Sequence, residues 1–145
     1  MSNQSHHPKL FTRYISGFVI IAITLVTFVS STSANDEDLV QKLVGKWEGT
    51  VAIKNDPFRM LVIDSVKRDG DQWIATGRWG NTDKKGMKVD IKIQVSGGDL
   101  SLAFDAAAGN EVNLKLVGDR ELTGKFNHAR GRQRTNADAS LKKVD

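Results

Sequence analysis

The side chains that could carry out catalysis are few in this chain. It contains no cysteine, and His128 is the only histidine after residue 34. A Ser-His-Asp arrangement would have to be built on His128, which lies in a polar connection, and a zinc site needs several His or Cys ligands. Asp69-Gly70-Asp71 is too sparse for a calcium site and is typical of a turn. We therefore expect no catalytic residue, metal or cofactor, and predict that the protein is not an enzyme.

Asp64 is the carboxylate with the most unusual neighbours. It follows four apolar residues and, in a strand, shares a face with Met60 and Val62. A carboxylate that points into a core must be paired or protonated, and such groups concentrate at functional sites. The alternative is a strand end that reaches water. Asp64 is therefore one candidate ligand-binding residue.

A basic cluster follows His128. Arg130, Arg132 and Arg134 alternate along the chain, so an extended strand would project all three on one side. Guanidinium groups in that arrangement can bind the phosphate or carboxylate of a lipid, glycan or protein. The alternative is a solvated face that nearby acids balance. Because no aromatic residue is interleaved with the arginines, the cluster does not indicate a platform for single-stranded nucleic acid.

Trp79 is the best candidate for a stacking residue. It precedes Gly80–Gly86, the longest polar connection in the first half of the chain, and such loops often carry binding sites. Core packing is the alternative reading for Trp79, as it is for Trp47 and Trp73. If a ligand binds, we expect it beside Gly80–Gly86, at the mouth of the fold.

The N-terminal segment, residues 1–34, is typical of a secretory signal peptide. Lys9 and Arg13 precede an uncharged run from Tyr14 to Val29, and small residues lead to a cleavage site after Ala34. The 16-residue run is shorter than the roughly 20 residues of a membrane span. We predict a secreted or periplasmic protein with no stable membrane span after cleavage, in which residues 35–145 form a single domain.

The charge of that domain argues against nucleic acid as a partner. The signal segment holds two of the 21 Lys and Arg residues and none of the 17 Asp and Glu residues, so the remainder carries a formal charge of +2. Binding to nucleic acid depends on a strong basic field, which this balance does not provide.

Short runs that alternate apolar and polar residues follow Gly45, with turn residues between them. Met87–Val95 is the clearest, with an apolar residue at every odd position, and the last run covers Ala137–Val144. This spacing predicts about eight antiparallel strands in up-and-down order behind a short acidic helix over Asp36–Val44. The residues expected to face inward are Trp47, Val51, Ile53, Trp73, Trp79, Val89, Ile91, Ile93, Leu102, Phe104, Leu114, Leu116 and Phe126.

Closure of the sheet into a barrel is the architecture that removes its open edges. The alternatives are a curved open sheet and a small sandwich. Strands of five to nine residues and a bulky inward set predict an interior that is mostly filled, with a small cavity at most.

Leu43-Val44-Gly45-Lys46-Trp47 resembles the start of the lipocalin and calycin superfamily, a short helix that runs into a Gly-x-Trp strand. The resemblance implies that Gly45 and Trp47 belong to a plug at one end of the barrel. It also implies that a basic side chain from the last strand packs over the tryptophan, and the candidates are Arg130, Arg132, Arg134, Lys142 and Lys143. GKWEG, LVIDSV and the Trp-Gly pair at 79–80 further resemble lipocalin-like domains of bacterial exported proteins.

Two classes of function follow for this barrel. The first is a non-enzymatic binding protein that holds a small apolar or amphipathic ligand at the mouth. The second is a protein-interaction module with a filled core, since some secreted protease inhibitors have a similar plan. Those inhibitors carry a cysteine pair that this chain lacks, and its arm after the signal, Asn35–Asp38, is short and acidic.

Overall fold

The computed structural model describes residues 34–82, 86–107, 109–130 and 133–144. Apart from Ala34, the predicted signal peptide lies outside the described residues. The elements are α1 (Ala34–Gln41), β1 (Gly45–Val51), β2 (Phe58–Asp69), β3 (Gln72–Gly80), β4 (Met87–Ser96), β5 (Asp99–Asp105), β6 (Glu111–Val117), β7 (Glu121–Arg130) and β8 (Gln133–Val144). Among the described residues, no helix has the length and hydropathy needed to cross a membrane.

The eight strands form a closed antiparallel barrel. Each strand pairs with the next in sequence, and β8 returns to pair with β1, from Lys46 opposite Val144 to Val51 opposite Ala139. Closure leaves no row of unpaired backbone groups along a sheet edge. The up-and-down barrel predicted from the sequence is confirmed, and the open sheet and the sandwich are wrong.

Alternation along the strands fills the interior with apolar side chains. Eleven of the thirteen residues predicted to face inward are buried, and Ile53 and Trp73 are half-buried against the same core. Gly77 and Gly124 also lie on inward positions, where a β-carbon would collide with the carbonyl oxygens of Val62 and Asn113 on the neighbouring strands. These two glycines let adjacent strands approach closely where the sheet coils.

The helix and several strands differ in their bounds from the sequence prediction. The helix begins at Ala34 and ends at Gln41, so Asp36 lies in its first turn, where a negative charge suits the helix dipole. Strands β2 and β8 each have 12 residues, longer than the five to nine expected. Longer strands give the barrel more depth.

Trp47 seals one end of the barrel, which we call the closed end. Its side chain is fully buried, and its indole Nε1 donates a hydrogen bond of 2.8 Å to the carbonyl oxygen of Leu43, just after α1. Val40 and Leu43 are also fully buried against this core. The helix is therefore fixed to the barrel through the first tryptophan of the sheet.

Lys143 is the basic residue that packs over this tryptophan. It lies directly opposite Trp47 in the pairing of β1 with β8, and its ammonium nitrogen is 5.5 Å from the centre of the indole ring. The same nitrogen donates a 2.6 Å hydrogen bond to the carbonyl oxygen of Lys42. A β-carbon at Gly45, whose φ is 129°, would lie 3.1 Å from Cε of Lys143. Gly45, Trp47 and Lys143 thus form one packed group.

Candidate functional site

The opposite end of the barrel, which we call the open end, contains a cavity of about 850 Å³. The connections β1–β2, β3–β4, β5–β6 and β7–β8 all lie at this end, because the strands run alternately up and down from α1. Residues from each connection or its flanking strands line the cavity, among them Asn55, Asn81, Asn110 and Thr135.

One wall of the cavity is a series of three rings. Trp79 and Phe126 are stacked with their ring centres 6.4 Å apart and 23° between their planes. The rings of Phe126 and His128 are stacked in the same way, with their centres 6.0 Å apart and 17° between their planes. Phe104 packs edge-on against Trp79, with the two ring centres 5.3 Å apart. Trp79 and Phe126 present an apolar surface, and the His128 imidazole continues the stack and adds polar nitrogens to it.

Small side chains leave the space that this wall borders. Ala137, directly opposite Phe126 on β8, lines the cavity, and so do Ala106 after β5 and Ala52 after β1. At the other end of β8, the inward position is the fully buried Leu141. The interior is therefore filled in the closed half only. The predicted small cavity is wrong in size, because the strands are longer than expected and alanines occupy inward positions near the mouth.

The polar groups of the cavity belong to its rim. Amide side chains of Asn55, Asn81, Asn110 and Asn136 offer both hydrogen-bond donors and acceptors. The charged residues that line the cavity are Lys54 and Arg59, and no aspartate or glutamate joins them among the residues that the structure describes. The site therefore combines an apolar wall with a rim that carries positive charge.

Arg59 is held by the connection that precedes it. Its Nη1 donates to the carbonyl oxygens of Asp56 and Phe58 at 2.7 and 2.6 Å. The Asp56 carboxylate lies 3.5 Å from the same nitrogen and also accepts a hydrogen bond from Asn81. Asp56 has a φ of 56°, in the left-handed region that aspartate and asparagine tolerate better than most residues.

The residues predicted to bind a ligand do not all lie here. Trp79 forms part of the cavity wall. Asp64 does not: it is exposed at a β-bulge, where Ile63 pairs with Gly77 but Ser65 pairs with Thr76, and it makes a 3.2 Å ion pair with Arg78. Because Leu61 and Ile63 face inward, alternation turns this carboxylate outward, and the bulge turns Ser65 outward as well. The idea that Asp64 serves a binding site is not supported.

The predicted arginine cluster does not form a described site either. Arg134 is exposed and lies beside the inward-facing Thr135 rather than on the cavity wall. Arg132 and the side chain of Arg130 lie outside the described part of the chain. Gly45 and Trp47 are at the closed end, so Trp79 is the one described ligand-binding candidate that lines the open-end cavity, together with Gly80 at the start of the connection named from the sequence.

Arg59 and the asparagines of the rim are absent from the sequence-based site. The spacing Arg59, Leu61, Ile63 could have indicated an inward arginine, because positions two apart share a face of a strand. Within the described residues, no group of three or more His, Cys, Asp or Glu side chains could hold a metal ion.

No protein-family model, curated protein or solved structure matches the chain. The eight-stranded antiparallel closed barrel with a short helix before it has the general shape of a lipocalin-like barrel.

Proposed function

We propose that this chain is an exported, non-enzymatic barrel that binds one small apolar or amphipathic ligand in the open-end cavity. The observation that carries the proposal is the cavity itself. Its volume of about 850 Å³ falls within the roughly 300–1,000 Å³ of known small-molecule sites. Sites of that kind combine apolar walls with polar groups that fix the orientation of the ligand, and this cavity has both, since Trp79, Phe126 and alanines border it and half of its lining residues are polar or charged.

A calycin-type relationship is part of the same proposal. Its support is the Gly-x-Trp strand behind a short helix, with Lys143 over the Trp47 ring. This is the arrangement that the sequence resemblance implied, and one of the five basic residues considered now occupies that place. Sealing of one end by Trp47 gives a ligand a single way in, through the mouth.

The alternative is a protein-interaction module with a filled core. The filled closed half is compatible with it, but that module has no use for an apolar cavity at the other end. We therefore favour ligand binding.

A titration with N-phenyl-1-naphthylamine, an uncharged fluorescent apolar probe, tests ligand binding. We expect one probe per barrel, and at least tenfold weaker binding in Ala137→Leu, because the added side chain fills the space beside Phe126. Ala103→Leu is the matched control, since Ala103 alternates to the outer face of β5 between the buried Leu102 and Phe104. No uptake by the wild type, or equal uptake by both variants, would contradict the proposal.

Two measurements on protein from its own host test whether the chain is exported and whether it carries a small molecule. N-terminal sequencing should give Asn35 as the first residue of the exported form, whereas Met1 on a membrane-bound product would overturn export. Native mass spectrometry of the same material should show a bound small molecule rather than a partner chain.

A further inference from the structure

We infer that the ligand of the open-end cavity carries an anionic head group, and that Arg59 is the residue that binds it. This inference rests on the proposed function and names the ligand class of the same cavity. The head group is a carboxylate, sulfonate or phosphate, all of which match the fork of N–H donors on a guanidinium.

The position of Arg59 on β2 is the first observation. Arg59 shares the inward face of the strand with Leu61 and Ile63, which are both buried. Although it stands next to a loop, its side chain is only 15% exposed, and it lines the cavity. A guanidinium buried to that extent needs hydrogen-bond partners or an opposing charge, so the donors that its existing contacts leave over decide what else it can bind.

The contacts of Arg59 hold it in place but offset its charge only in part. Two of them are to backbone carbonyl oxygens, which carry no net charge. The Asp56 carboxylate is 3.5 Å away, longer than the roughly 2.7–2.9 Å of a strong charged hydrogen bond, and that side chain is itself half exposed. These contacts all use Nη1, so the donors on Nε and Nη2 have no partner among the described residues.

The register of the sheet places the head group relative to the rings. Leu61 lies directly opposite Trp79, so Arg59 is two residues, about 7 Å, closer to the mouth than the level of Trp79. An apolar body against Trp79 and Phe126 would therefore bring an acidic group near Arg59. Lys54 adds a second positive charge to the rim, and no described carboxylate lines the cavity to oppose it.

The experiment compares two probes that differ by one anionic group. 1-Anilinonaphthalene-8-sulfonate has the same ring system as N-phenyl-1-naphthylamine with a sulfonate added. We expect Arg59→Gln to weaken binding of the sulfonate roughly tenfold and to change binding of the neutral probe less than twofold. Arg59→Lys should fall between the wild type and Arg59→Gln, because an ammonium keeps the charge but not the fork.

Arg78→Gln is the matched control. It removes the same charge from a neighbouring strand, but Arg78 pairs with Asp64 outside the cavity, so both probes should bind as they do to the wild type. Asp56→Asn should strengthen binding of the sulfonate two- to fivefold, since it removes the only described carboxylate beside Arg59 and asparagine suits the same backbone conformation.

The outcomes separate this inference from the proposed function. If both probes bind in the cavity but Arg59→Gln affects them equally, the anionic head group is wrong while ligand binding stands. If neither probe binds to the folded wild type, both proposals fail. Displacement of the sulfonate by 2-naphthoate or 2-naphthyl phosphate should exceed displacement by 2-naphthol and should show which anion is preferred. Equal displacement by all three would also contradict the inference.

Discussion

The two ends of this barrel each combine a tryptophan with an inward basic residue, and they differ in what surrounds that pair. At the closed end, Trp47 is fully buried and the Lys143 ammonium is occupied by the indole ring and a backbone carbonyl. At the open end, Trp79 borders a cavity and Arg59 keeps donors without a described partner. The helix α1 lies against the first pair, whereas described residues of the β1–β2 and β3–β4 connections, such as Asn55 and Asn81, lie beside the second. We therefore expect the closed end to supply stability, and we propose that the open end supplies binding.

The largest effect should come from Trp47→Ala. Replacing a buried tryptophan with alanine costs about 3–5 kcal/mol, out of the roughly 5–15 kcal/mol that stabilise a typical domain. Loss of the bond to Leu43 should also release α1. Urea unfolding should show this loss of stability as a lower midpoint. A midpoint close to that of the wild type would mean that the closed end does not carry the stability.

Trp79→Ala should have a smaller effect on folding and a larger one on binding. Because Trp79 already borders a cavity, its removal enlarges a space that water can enter rather than creating an empty void, and we expect a loss of about 1–3 kcal/mol. Uptake of N-phenyl-1-naphthylamine should fall at least tenfold, with the Trp47→Phe variant as a control that keeps uptake. A loss of stability equal to that of Trp47→Ala would remove the distinction between the two ends.

Lys143→Met should cost about 1–2 kcal/mol. The variant keeps much of the aliphatic stem but loses the contact with the ring and the hydrogen bond to Lys42. Lys142→Met is the matched control, because Lys142 is the exposed, outward neighbour on the same strand. Thermal unfolding of the two variants should differ by a few degrees, and equal melting temperatures would show that Lys143 contributes nothing specific.

The smallest effect concerns the ion pair of Lys42 and Asp119, which joins the end of α1 to the β6–β7 turn. The 2.7 Å hydrogen bond from Lys42, and then its charge, lower the pKa of Asp119 below its usual value of 3.8. A lowered pKa in the folded state stabilises the fold above that value, and the contribution is lost as the pH falls through the lower, folded pKa.

Asp119→Asn should therefore lower the urea midpoint slightly at pH 7, and the difference should shrink below pH 3.8 and vanish once the pH is below the lowered pKa of the folded state. Because both side chains are largely exposed, 1 M salt should also reduce the difference in urea midpoint between the variant and the wild type. Asp71→Asn, in the β2–β3 turn, is the control. A difference that grows as the pH falls would contradict this assignment.

The strand order and most of the core could be predicted from the sequence, because a barrel wall imposes a period of two on its residues. Met87–Val95 shows this most clearly: Val89, Ile91 and Ile93 are buried in the core, and the even positions between them are exposed. The helix was predicted but displaced, since its acidic first turn starts before Asp36.

The features that failed to be predicted depend on pairing across the sheet. The orientation of Asp64 depends on which face of β2 is inward, and the unbroken apolar run Met60–Ile63 leaves that face undecided until Leu61 is seen to pair with Trp79. The choice of Lys143 among five basic residues required the register between β1 and β8. Arg59 could be recognised as a site residue only once Leu61 was known to lie opposite Trp79 and the mouth was known to be on that side. The cavity could not be predicted either, because it forms where small residues from several strands lie together.

The pairing of β8 with β1 has a consequence for how this chain acquires its structure. Lys143 and Lys42, which meet at the closed end, are 101 residues apart in sequence. Contacts of such long range require a large loss of chain entropy before they form, and folding rates fall as their share increases. We therefore expect the seam between β1 and β8 to form late, with each of these strands presenting one open edge until then, to which another chain could add. Because β8 follows the other seven strands in the sequence, closure of the barrel has to wait for it.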